Sequence, residues 1–363
     1  MRDYSLFGKE FKGTVVLTGE ADIFYFTGFY TTARRPKQIG PTAVILGEGV
    51  KLFLFPQRWR MQIEEMNLPD AGELVSYENS PAAFLDGLRK LLEKMDTSLV
   101  WAVYGELDIP TYQMLGSLAG ELGDITRRMA QIRLAKNPEE ICKLRRAARV
   151  AVEAMEYAKT LLRPGMRELE AVAAIEYHMR KNGSDGVPFT MKLLSGPNSG
   201  TVTRVPGQKA MEEGDLVLLD FGARCGGYSS DWTRTFCLGE ASELQKTIYG
   251  LVWKMERECI RLVRPGLPMA DLLAKAYEIA ESHPYGKYFN PHLGHSVGIT
   301  SHEWPIIEPG VTETLEKNMV ITIEPGIYLP GIGGVRIEDE VLVTENGYEL
   351  LTGLRDEGLE LAL

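Results

Sequence analysis

The chain has 363 residues, 44% of them apolar, enough to fill the cores of about two domains. Its formal net charge of −10 argues against a nucleic-acid backbone as partner. No apolar run approaches the ~20 residues of a membrane span, the opening MRDYSLFGKEFKG lacks the apolar stretch of a secretory signal, and the four cysteines (Cys142, Cys225, Cys237, Cys259) form no CxxC pair, so reduced thiols in a soluble cytoplasmic protein are expected.

From the N-terminus, strand-like runs fall at residues 14–17, 23–26, 43–46, 51–55 and 99–104, with a hairpin turn at Gly47-Glu48-Gly49. Ser80-Pro81 starts a helix that carries Phe84, Leu88, Leu91 and Leu92 on one face, and another helix follows Pro110. Alternating strands and helices predict a sheet with helices packed on it. A boundary near 125–137 divides the chain into domains 1–128 and 129–363. There Asn137-Pro138-Glu139-Glu140 supplies an N-cap, a proline in the first turn and an acid at the third position, opening a helix with Ile141, Leu144, Ala148 and Val152 at helical spacing.

The second domain repeats itself. LLRPGMRELEAVAAIEYHM from Leu161 is similar to LVRPGLPMADLLAKAYEIA from Leu262, an offset of 101. DLVLLDFG from Asp215 is similar to MVITIEPG from Met319, an offset of 104 that aligns Asp220 with Glu324, and Asp231 and Glu338 are 107 apart. Two similar halves follow, each a helix pair and a strand hairpin, with acids in matching places.

Those four carboxylates and His295 form the candidate site. A two-residue turn at Cys225-Gly226 would set Asp220 directly across from Asp231, with Cβ atoms roughly 4.5–5.5 Å apart. A three-residue loop, Pro330-Gly331-Ile332, would set Glu324 across from Glu338. Facing carboxylates need compensating cations. Two divalent ions balance four carboxylates, and they can hold a hydroxide nucleophile between them at neutral pH. The oxygen-rich set with one imidazole suits Mn, Co, Fe or Zn. Other candidates read differently: His178 and His283 as helix-surface residues, Trp304 as pocket lining or core. Gly331-Ile332-Gly333-Gly334 fits turn formation rather than phosphate binding. Arg34-Arg35 is a candidate for reaching a substrate carboxylate or a surface-loop charge.

Along nearly its whole length the chain resembles the M24 peptidases, the family of Xaa-Pro dipeptidase (prolidase), Xaa-Pro aminopeptidase and methionine aminopeptidase. ADIFYFTGF resembles the characteristic strand of their creatinase-type N-terminal domain, and IRLAKNPEEI the junction that follows it. The resemblance implies an α+β fold: a C-terminal pita-bread catalytic domain with an internal two-fold repeat, preceded by a smaller α/β domain. It implies two divalent metal ions per chain on Asp220, Asp231, His295, Glu324 and Glu338, with Glu324 or a neighbouring acid accepting the proton of the bridging water. His302 matches the substrate-facing histidine, Tyr328 and Arg336 match positions beside the site, and a homodimer is expected. Two departures stand out. Thr203 and Pro291 occupy places where such peptidases usually carry histidines, and His292 lies one residue beyond the second. Loss of one donor to a developing oxyanion can cost ~10²–10³ in rate.

The leading expectation is therefore a dinuclear-metal-dependent hydrolase removing the N-terminal residue of short peptides, Xaa-Pro peptides among them, with His292, Tyr328 and Arg336 binding substrate. The alternatives are a small amide or C–N hydrolase or lyase on the same fold, and a non-catalytic binding protein.

Overall fold

The structure is a computed structural model that describes residues 11–30, 40–353 and 358–361. Arg34 and Arg35 lie outside the described residues. The chain divides into two compact units, Met1–Ile132 and Arg133–Leu363.

The first unit is built on a six-stranded sheet ordered β4-β3-β2-β1-β5-β6, from β1 (Thr14–Leu17), β2 (Ala43–Gly47), β3 (Val50–Pro56), β4 (Glu73–Tyr77), β5 (Leu99–Ala102) and β6 (Glu121–Asp124). Side chains alternate across it as the strand period requires. Val15, Leu17, Val44, Leu46, Phe53 and Phe55 share one core with Ile23, Phe26 and Met129. Val16, Ala43, Ile45, Leu52 and Leu54 share another with Phe84, Leu88 and Met114. The expected hairpin closes with Gly47 paired to Val50 and Gly49 at φ 70°. Ser80 caps its helix by accepting from the Ala83 amide at 3.1 Å.

Residues 23–26, expected as a strand and as part of the characteristic strand of the resemblance, instead lie in helix α1 (Glu20–Thr27). The apolar run IFYF gave the strand reading. The helix is set by its ends: Glu20 and Asp22 favour the positive end of the helix dipole, and Gly28 at φ 74° closes the last turn by donating to the Phe24 carbonyl at 2.8 Å. The other α-helices among the described residues of this unit are α2 (Arg60–Met66), α3 (Pro81–Leu92), α4 (Ile109–Leu118) and α5 (Thr126–Ile132).

The second unit shows the repeat bond by bond. Its first half runs α6 (Pro138–Leu161), α7 (Glu168–Lys181), β7 (Lys192–Ser195), β8 (Leu216–Phe221), β9 (Arg224–Cys225), β10 (Tyr228–Ser229) and β11 (Trp232–Leu238). The second runs α8 (Glu243–Leu262), α9 (Met269–Glu281), β12 (Phe289–Asn290), β13 (Gly294–Ser296), β14 (Glu303–Ile307), β15 (Val320–Ile323), β16 (Gly326–Leu329), β17 (Gly333–Arg336), β18 (Asp339–Val343) and β19 (Tyr348–Leu350), closed by β20 (Glu360–Leu361). Asn137 forms the expected capping box, accepting from the Glu139 and Glu140 amides at 2.9 and 3.0 Å. Between the helices of each pair, Gly165 (φ 85°) donates to the Met211 carbonyl and Gly266 (φ 83°) to that of Leu315, both at 2.8 Å.

The two main sheets of this unit are ordered β20-β11-β8-β7 and β14-β13-β15-β18-β19. Val217, Leu219 and Phe221 on β8 pack with Ala151, Met155 and Ile175 of the first helix pair. Ile321 and Ile323 on β15, with Val341 on β18, pack with Cys259, Leu272 and Ala276 of the second. Period two then turns the intervening side chains away from the helix pair that covers each sheet, and among these are Asp220, Glu324 and Glu338. Parity alone thus sets these acids on the side opposite their helix pairs.

Candidate metal centre

In the first half the acids meet diagonally. Asp220 pairs with Thr233 and Cys225 with Tyr228, so the hairpin turns at Gly226-Gly227 (φ 56° and 81°). Two consecutive glycines accept the positive φ of a type I′ turn where Cys225 would not. The expected Cys225-Gly226 turn is therefore corrected by one position and the register by two. That shift preserves parity, so Asp231 stays on the face of Asp220. In the second half the expected loop is found: Leu329 pairs with Gly333 and Gly326 with Arg336. The count is unbroken through Ile323 and Asp339, which sets Glu324 across from Glu338. At these acids the strands part, with the Glu324 amide donating to the Leu293 carbonyl at 2.7 Å and that of Glu338 to Thr233 at 3.1 Å.

The five residues converge. Ligand-capable atoms of Asp220, Asp231 and Glu338 lie within 4.8 Å of one another, as do those of His292, His295 and Glu324, and of Asp231, His295 and His302. His295 is buried on β13, its Nε2 3.2 Å from Glu324 Oε1 and 3.7 Å from Asp231 Oδ2. Its Nδ1 lies 3.1 Å from the Ser296 carbonyl, which can only accept, so Nδ1 carries a proton and Nε2 is the ring nitrogen that faces the acids. His302 stacks on His295 with centroids 3.9 Å apart. His292 reaches the site, its Nε2 3.2 Å from Glu324 Oε1, whereas Pro291 and Thr203 are exposed.

Around this core the polar contacts interlock. Arg336 donates through Nη1 to Tyr328 Oη at 2.8 Å, through Nε to Thr233 Oγ1 at 3.0 Å, and through Nη2 to Asp220 Oδ2. Thr233 in turn donates to Glu338 Oε2 at 2.6 Å, and Glu340 Oε1 accepts from the Asp231 amide at 2.9 Å. Glu338 Oε1 is buried without a hydrogen-bond partner. Burial, then the charges of Glu338 and Asp220, pushes the Asp231 carboxyl well above its usual range; burial, then Glu324 and Asp220, does the same to Glu338. Burial also opposes ionisation of Glu324, but hydrogen bonds from His292 and His295 hold it well below the usual range. A buried acid cluster with one oxygen lacking a partner suits divalent cations, which would satisfy charge and coordination together.

The site opens into a cavity of about 390 Å³, also lined by Phe189, Thr190, Lys192, Val202 and Asn290. That volume is in the ~300–1,000 Å³ range of small-ligand sites. Sequence reasoning missed Phe189, Thr233 and Lys192. A larger cavity, about 520 Å³ between Phe11 and Asp96 in the first unit, offers only Glu48 and Asp96 as acids. Trp304 packs against the core of the second helix pair rather than lining the site. His178 stacks on Tyr157 and His283 accepts from the Tyr285 amide, both away from it.

Carboxylates from two repeated hairpins, joined by an imidazole on a neighbouring strand, define a metallohydrolase-like centre on a two-fold repeated fold. The profile described as metallopeptidase family M24 matches residues 142–345. An uncharacterized peptidase of Staphylococcus aureus is 33% identical over 342 residues, 93% of each chain. The prolidase from Pyrococcus furiosus superposes with a TM-score of 0.86 at 30% identity, over 98% of this chain and 100% of its own. The X-Pro aminopeptidase from Thermotoga maritima does so with a TM-score of 0.88 at 27% identity, over 99% and 98%. The chain belongs to metallopeptidase family M24 and has its pita-bread fold. It is a metal-dependent peptidase. No helix among the described residues is long and apolar enough to cross a membrane.

Proposed function

We propose that this peptidase removes the N-terminal residue from short peptides, Xaa-Pro peptides among them, and that Asp220, Asp231, His295, Glu324 and Glu338 hold two divalent cations, manganese being one candidate. The observation that carries this reading is the convergence of four carboxylates and the Nε2 of His295, with one buried Glu338 oxygen left without a hydrogen-bond partner. When bound, the cation pair supplies Lewis acidity and brings the pKa of a water towards neutrality.

The chain's own residues divide the remaining work. Glu324, at the cavity wall, accepts the proton of the attacking water. His302 overlies His295, where its ring can donate to the oxygen that becomes negative as the carbonyl is attacked. Arg336, Tyr328 and Thr233 fix the orientation of Asp220 and Glu338. Arg336 and Tyr328 also offer donors to the substrate. His292 stands at the mouth beside Glu324, supplying a polar group near the place left by Pro291. The reading also takes the chain as a cytoplasmic homodimer in which residues 1–128 form the creatinase-type domain that precedes a catalytic domain from 129.

The test is metal content after reconstitution with Mn or Co, followed by hydrolysis of Xaa-Pro dipeptides, Xaa-Ala dipeptides and Xaa-Pro tripeptides. Metal-dependent cleavage with a Pro preference supports the reading. One feature favours a second reading: Thr203, at a place where the family resemblance expects a histidine, is exposed and outside the cavity. Two cations without cleavage of any peptide would point to a small amide or other C–N substrate instead.

A further inference from the structure

The cavity contains a cation of its own. Lys192 lies on β7 directly across from Asp220, and paired residues project to the same side of a sheet, so its side chain shares the catalytic face. Its ammonium nitrogen is 3.2 Å from Asp220 Oδ2, the oxygen that Arg336 Nη2 also contacts. The Lys192 side chain is 30% exposed, so it is tethered to the site but free to be displaced.

The second half has a different arrangement at the corresponding acid. Glu324 is flanked at the same 3.2 Å separation by His295, whose Nε2 lone pair can ligate. An ammonium has three donors and no lone pair, so it cannot. One half presents its acid with a ligand beside it and the other with a competitor.

Charge counting points the same way. Asp220, Asp231, Glu324 and Glu338 carry four negative charges when ionised. Arg336 and Lys192 offset two of them, and a single divalent cation offsets the rest. A second divalent cation then enters after these four charges have been balanced, next to a competing ammonium.

Resting on the two-cation reading above, we propose that Lys192 weakens the cation position among Asp220, Asp231 and Glu338 by competing there for the Asp220 carboxylate. Lys192 is thus a residue that sets metal occupancy. A unit charge a few ångströms from a partly exposed site changes affinity by about 10- to 100-fold.

The test is calorimetric titration of the full-length, metal-stripped protein with Mn²⁺ alone. The wild type should show two classes of site separated by at least about tenfold. Lys192→Met should tighten the weak class by about tenfold or more while the tight class moves less than about threefold. Lys192→Arg should keep the weak class weak, and Asp220→Asn should remove that class and leave the tight one. Lys192→Gln serves as a second neutral variant if methionine disturbs the strand. Two classes whose affinities ignore the neutral variants would overturn the role of Lys192 while leaving the two-cation reading intact, as would a single class in the wild type that binds two ions. No Mn²⁺ bound by wild type or variants would overturn both.

Discussion

The two halves of the second unit reach the same arrangement by different local means. In the first, a Gly226-Gly227 turn leaves Asp220 and Asp231 diagonal on one face, and the neighbouring strand adds Lys192. In the second, a three-residue loop leaves Glu324 and Glu338 facing each other where the strands part, and the neighbouring strand adds His295. What the repeat preserves is parity: which side of the sheet an acid occupies. What it leaves free is the residue beside the acid, and there the halves have taken opposite chemical roles.

The comparison can be broken from its acids outward. The largest effect is expected on exchanging Glu324 for Gln, which removes both an oxygen ligand and the proton acceptor: kcat/KM should fall by about 10³-fold or more, with loss of tightly bound metal in elemental analysis. The same exchange at Asp220 should cost less tight metal, because its position is the weaker one. Next comes Arg336→Met, which leaves Asp220 without its buried guanidinium. Stability should drop by about 3–5 kcal/mol in denaturant unfolding of the metal-free protein. Part of that loss should be recovered when Mn²⁺ is added in excess, since binding to the native state stabilises it.

Smaller effects test the symmetry itself. Gly165 and Gly266 occupy matching turns at φ 85° and 83°, and an added Cβ would meet nothing within 4 Å at either. Alanine at each should therefore cost only the left-handed backbone penalty, about 1–2 kcal/mol, and equally in both halves. Unequal losses would break the equivalence of the two turns. The halves differ at Glu256, buried on α8, whose counterpart 101 residues earlier is Met155. Burial, then the nearby Asp339 carboxylate, raises the Glu256 pKa well above its usual value. The folded state then holds a proton that the unfolded state has lost, so stability is greatest below the ordinary glutamate range and falls as pH rises towards the raised value. Glu256→Gln should flatten that part of the pH–stability curve, and an unchanged slope would show that Glu256 is ionised when folded.

Much of this was legible in the sequence, for identifiable reasons. The acids at offsets of 104 and 107 survive as a signal because parity needs only side-chain alternation, not exact pairing. For that reason the first hairpin could be misregistered by two and still bring Asp220 and Asp231 together. The Gly226-Gly227 dipeptide was the available cue for the true turn. Residues 23–26 misled because an aromatic, β-branched run is equally at home in a short buried helix; the acids before it and Gly28 after it were the better guide. Lys192 was invisible because its meaning depends on which residue of β8 stands opposite, and a lone lysine in an apolar run carries no such information. The partnership of Thr233 with Arg336 and Glu338 is likewise a product of three strands meeting.

Together the two halves are proposed to build one centre for two cations. The most direct measurement is anomalous diffraction at the manganese edge from crystals grown with Mn²⁺. Two peaks are expected in the cavity, one against His295 and Glu324 and one among Asp220, Asp231 and Glu338, with the second fading first as Mn²⁺ is lowered. Peaks absent from the cavity at saturating Mn²⁺, or confined to surface acids, would contradict the proposal.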